Sequence, residues 1–166
     1  MSESILQRLR SEGEVVEIGQ FSVDAEAARE KLEKYRLSDP HEYVLHVIEA
    51  AQLLGASRVD LTIDRDRVRA EFDGAFVEER RLQDIYSAAF RKIVDDTTRA
   101  MRHLSIAISS AQRVDPKSIS FRSAGQPREA APVLQVDADG NQSMTVHHVE
   151  QRSDPAPAVF RLQETL

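Results

Sequence analysis

The chain has 166 residues, no cysteine, no tryptophan and a formal charge of −6, which suits one domain with its own core and excludes disulfides, thiolate metal sites and a cysteine nucleophile. Its arginines are scattered among acids and it has only six phenylalanines and three tyrosines, so it offers neither a basic stripe nor a base-stacking surface, and no nucleic acid is expected as its primary partner. No stretch reads as a signal peptide or membrane span, so the expectation is a cytoplasmic protein with no membrane contact.

In chain order, Ser4 to Arg10 can form a short helix with Ile5, Leu6 and Leu9 inward, and EVVEIGQFSV suggests a strand interrupted at Gly19. Asp24 to Tyr35 is helical by propensity, with Ala27, Ala28, Leu32 and Tyr35 forming a narrow apolar stripe. Next, Asp39 can cap, Pro40 fits the first helical position, Glu42 can complete a capping box, and Gly55 stops the helix. At about 100° per residue, Val44, Val47, Ile48, Ala51 and Leu54 form the expected core side. Glu42, His46, Glu49, Ala50 and Leu53 fall on the opposite arc. That arc mixes two carboxylates, a histidine and a leucine, more than a purely solvated face would show.

Val59, Leu61 and Ile63, then Val68, Ala70 and Phe72, alternate with polar residues on either side of DRDR, the pattern of a half-buried antiparallel hairpin. Its second strand runs into Asp73-Gly74, either a tight loop or a place where backbone approaches a ligand. Leu82, Ile85, Tyr86, Ala89, Phe90 and Ile93 have helical spacing, and Thr97 or Thr98 opens a second helix reaching roughly Arg113, with Met101, Leu104, Ile108 and Ala111 inward. Ser118 to Arg122 is a predicted strand and 123–132 a polar loop. VLQVDADGNQSMTVHHV reads as a hairpin turning at Asp139-Gly140, and Val159 to Leu162 as a last strand. This order predicts an α+β fold, a two-layer sandwich with helices on one face of a mixed, mostly antiparallel sheet. One domain covers 1–166, with a lead-in at 1–20, the core region at 21–123 and the C-terminal strands at 124–166.

Several polar signals have ordinary explanations. Glu42, His46 and Glu49 stand at i, i+4 and i+7, a spacing one metal can bridge, but the further ligands are missing and a solvated helix face is the expectation, so no metal is assigned. His41 and His46 are five apart, not the zincin four. His147 and His148 point to opposite faces of a strand. Ser105, Ser109 and Ser110 lack a nucleophile elbow and partners at usable spacing. Leu53, Phe72 and Phe76 could line an apolar groove, with core the favoured role.

VLHVIEAAQLLGASRVDLTI, FDGAF and RHLSIAISSAQRVDPKSISFRS together resemble, in order more than in identity, the GHKL superfamily of Bergerat-fold ATPases, which includes heat-shock chaperones, MutL mismatch-repair proteins, type II topoisomerases and sensor kinases. The likeness spans about residues 40 to 123. It implies a nucleotide pocket at Ala50, Leu53, Phe72, Asp73 and Gly74, with His46 at the general-base position. Ala50 then stands for the magnesium-binding asparagine, Leu53 for an acidic residue and Phe72 for the adenine-binding aspartate. Asp73 is displaced by one, which reverses its face on a strand. Phe76 replaces the second glycine, and Arg102-His103-Leu104-Ser105 stands where the family has lid glycines.

Alanine gives magnesium no oxygen, and each lost charged hydrogen bond costs roughly 1.5–3 kcal/mol. Two or three such losses carry a micromolar site to millimolar, so no confident cofactor is assigned and ATP with magnesium would bind weakly at most. The expectation is a catalytically degenerate GHKL-like domain acting as a regulatory or protein-interaction module with a protein partner. Two alternatives stay open: an active ATPase with His46 as base, and a structural partner-binding domain unrelated to nucleotides.

Overall fold

Caps and hydrophobic period lay out the elements, seen here in a computed structural model that describes residues 25–34, 38–74, 76–124, 130–148 and 157–164. Helix α1 is Ala25–Lys34. A 3-10 turn, Pro40–Glu42, leads into α2, Tyr43–Leu53, and the hairpin follows as β1, Val59–Ile63, and β2, Arg67–Phe72. Two short helices, α3 (Glu79–Gln83) and α4 (Ile85–Ala88), precede the long α5 (Asp96–Ala111). The strands β3 (Pro116–Arg122), β4 (Ala130–Asp137), β5 (Gln142–His148) and β6 (Ala158–Glu164) complete the order. The expected lead-in helix and strand, and Tyr35, lie outside the described residues.

The six strands among the described residues form one sheet in the order β1-β2-β6-β3-β4-β5, with antiparallel pairing throughout. The last strand is therefore central, joining the first hairpin to the C-terminal strands. Its register sets Phe160 beside Ala70 and Phe121, and Leu162 beside Val68 and Ile119. Because side chains alternate with period two, these residues share one face with Phe72, Leu134 and Val136. Over that face lie α2 and α5, which add Val47, Ala50, Ala51, Leu104, Ala107 and Ile108 to a single buried cluster. The result is a two-layer α/β sandwich. Ser120, Gln135, Arg161 and Arg69 occupy the other face, where Ser120, Arg122, Val133, Gln135, Val159 and Arg161 line an open cleft.

Four details differ from the sequence expectation, each for a local reason. Asp39 caps the 3-10 turn, its carboxylate accepting from the His41 amide at 2.9 Å, and α2 begins only after it. The stretch 82–93 breaks at Asp84, whose φ and ψ of −97° and 27° leave the helix. There the Asp84 carbonyl accepts from both the amide and hydroxyl of Ser87 at 3.1 and 2.9 Å, the local competition that interrupts helices. Helix α5 is capped by Asp95, which accepts from the Thr98 amide at 2.6 Å, so Thr98 lies inside and buried rather than at the cap. Strand β1 is an edge among the described strands and leaves Leu61 40% and Ile63 66% exposed, less covered than the expected half-buried hairpin.

The β4 to β5 turn is held under the helical layer. Gly140, at φ +82°, donates its amide to the Asp137 carbonyl. The Tyr86 hydroxyl donates to the Gly140 carbonyl at 3.4 Å and Arg29 donates to the Asp139 carbonyl at 3.1 Å. Burial pushes the Tyr86 phenol up to about 12, with Arg29 opposing and Asp137 reinforcing the rise. A raised folded value means this stability is fully present below the unfolded value near 10 and is lost as pH climbs through 12. Denaturant titrations from neutral to alkaline pH are expected to show a falling limb that Tyr86→Phe flattens.

Candidate functional site

The end of α2 and the end of β2 are tied together. Gly55, at φ +83°, lets its amide bond the Gln52 carbonyl while the Ala56 amide reaches the Ala51 carbonyl, both at 3.0 Å, the two bonds of a Schellman stop. Asp73 then closes the turn: its carboxylate accepts from the Ser57 and Arg58 amides at 2.9 and 2.8 Å and from the Ser57 hydroxyl at 2.5 Å. Gly74 follows at φ +129°, so close that a Cβ there would stand 3.1 Å from the Ala56 nitrogen and the Leu54 oxygen. Glycine is required by both torsion and space.

The Ser57 hydroxyl, followed by the Arg58 amide, holds the Asp73 carboxyl below the usual carboxylate range. A depressed folded value means the contribution is present above the unfolded value and lost as pH falls through the folded one. Asp73→Ala is expected to lower the melting temperature at neutral pH and to weaken its dependence on acid pH. A pH series of melting curves checks both effects.

On the side of α2 that faces α5, two histidines and a glutamate meet. His46 Nδ1 and His103 Nδ1 are 2.9 Å apart, and Glu49 Oε2 lies 3.1 Å from the first and 2.7 Å from the second. The rings are tilted by 34° with centroids 5.2 Å apart. Both imidazoles are about one-fifth exposed and Glu49 is half exposed, so the cluster is rooted between the helices and open on one side. Burial lowers the His103 value, Glu49 opposes that shift, and His46, Arg102 and Arg99 add to it.

The positions singled out in the sequence divide between core, turn and cluster. Ala50 is 0% and Phe72 2% exposed, both inside the core, where the Phe72 ring stacks on Phe121 at 6.3 Å. Leu53 packs partly buried against that core and Phe76 remains 38% exposed. The inner arc of α2 runs through Tyr43, Val47, Ala50, Ala51 and Leu54, turned by about half of one 100° residue step from the expected arc. Ile48, expected inside, is 36% exposed. Glu42 lies in the 3-10 turn before α2. His46 and Glu49 are brought together as their spacing suggested, but their partner is His103. Sequence reasoning missed that pairing; its signal was the shared amphipathic character of the two helices. The side chains of His147 and His148 lie outside the described residues.

No protein-family model matches the chain, and no curated protein matches it. Among solved structures it is similar in fold to one described as the crystal structure of the N-terminal domain of a DNA repair protein, with a TM-score of 0.51 and 12% identity. The match covers 86% of this chain and 41% of that one, so this chain spans less than half its neighbour's length. The likeness is one of fold. No helix among the described residues is long and apolar enough to cross a membrane.

Proposed function

We propose that this chain is a GHKL-like domain that has lost nucleotide chemistry and serves as a regulatory or protein-interaction module. One observation carries the reading: Ala50 and Phe72, at the positions where the resemblance requires oxygen donors for magnesium and adenine, are sealed in the core. Asp73, the carboxylate that follows Phe72, is engaged by Ser57 and Arg58. His46, at the general-base position, is engaged by His103 and Glu49. A base without positioned magnesium and water has little to accelerate. The similarity to the N-terminal domain of a DNA repair protein supports the scaffold half of the reading only.

Partner binding draws support from apolar side chains left in solvent. Leu45 on α2 is 60% exposed, and β1, an edge among the described strands, shows Ile63 at 66%. An edge strand with apolar side chains invites pairing or cover. Titration calorimetry with ATP and magnesium is the test: no binding at micromolar concentrations is expected, and a micromolar Kd overturns the reading. Phosphate release that disappears in His46→Ala would establish the ATPase alternative instead.

A further inference from the structure

We propose that His46, Glu49 and His103 form a binding site for a zinc-class divalent cation that staples α2 to α5. The site goes beyond the nucleotide reading, since it uses none of the positions the resemblance assigns to magnesium and stands or falls without ATP.

Geometry makes the first argument. The three ligand atoms form a nearly equilateral triangle with edges of 2.9, 3.1 and 2.7 Å, and the same three residues form the metal-competent group found among the described residues. Zinc bonds to nitrogen and oxygen of about 2.0–2.1 Å give ligand separations of about 3.3 Å in a tetrahedron and about 2.9 Å on an octahedral face. An ion about 1.2 Å above this triangle would reach all three atoms. Its remaining positions would open toward the exposed side of Glu49, where water can complete the shell.

Protons make the second. With neutral rings and an ionised carboxylate, no placement of the imidazole hydrogens satisfies all three short contacts. If both Nδ1 atoms carry hydrogen toward Glu49, the two N–H groups oppose each other at 2.9 Å. If only one does, the bare nitrogen of the other ring faces the carboxylate oxygen. A single cation replaces the conflicting hydrogens and accepts one lone pair from each of the three atoms. Imidazole with one carboxylate suits zinc, cobalt, nickel and copper; magnesium and calcium prefer all-oxygen shells.

Cobalt(II) added to the purified, metal-stripped chain is the probe, with no nucleotide present. One equivalent is expected to bind at micromolar Kd or tighter, to produce visible ligand-field bands, and to be displaced by zinc. Paramagnetically shifted proton signals should come from two histidine rings in the wild-type protein, a readout that needs no variant. His103→Ala and His46→Ala should each weaken binding at least 100-fold, Glu49→Gln about 10-fold, and His41→Ala not at all, with circular dichroism checking the fold of each. Zinc should raise the wild-type melting temperature and leave that of His103→Ala unchanged. Wild-type affinity weaker than millimolar, or full binding by a folded His103→Ala, overturns the proposal.

Discussion

Phe72→Asp is expected to unfold the chain or bring it close to unfolding. Phe72 is 2% exposed and stacks on Phe121, so loss of the ring alone costs about 3–5 kcal/mol. The incoming carboxylate must then either be buried charged or take up a proton, and either adds to the loss. The sum is comparable to the roughly 5–15 kcal/mol that holds a domain of this kind together. Urea denaturation followed by circular dichroism measures it. The substitution restores the residue that the GHKL resemblance would place there, which gives the result a second meaning. If Phe72 bordered an open adenine pocket, the variant would fold normally and gain ATP affinity. That outcome would remove the core assignment and the proposed loss of function together.

Ala50→Asn is the companion experiment at the magnesium position, and a loss of roughly 2–6 kcal/mol is expected. Ala50 is 0% exposed in the arc of α2 pressed into the core. Adding an amide overpacks the site by about 1–3 kcal/mol, and a buried amide without partners adds a similar amount. For a chain of this length, the melting temperature should fall by on the order of 10 °C. Magnesium should not recover the loss; rescue by magnesium with ATP would show that a metal-binding cavity survives beside α2.

Features coded by adjacent residues were legible in the sequence. Asp39 as a cap, Gly55 as a stop, the alternation of β2, and the Asp139-Gly140 turn all depend on local torsion and hydrogen bonding, and they led to the correct two-layer fold. The inner arc of α2 was less legible, because hydrophobicity favours Ile48 over Ala50. Dense packing instead selects a small residue where the helix is buried. The place of β6 between β2 and β3 depends on contacts between distant parts of the chain, which no local pattern records. His103 is the sharpest case: 57 residues separate it from His46, and only the packing of α2 on α5 brings the rings together. A single helix shows His46 and Glu49 as an ordinary polar face.

The latch at Gly140 has a mechanical meaning for the far edge of the sheet. The β4 and β5 ribbon is fastened at its tip to Arg29 of α1 and Tyr86 of α4, so it cannot peel away while the helices above it stay in place. Its interior amides should therefore exchange with solvent only when the helical layer opens as well. That edge and its cover behave as one cooperative block, whereas β1, the opposite edge among the described strands, has no such latch recorded among the described residues and is expected to exchange sooner.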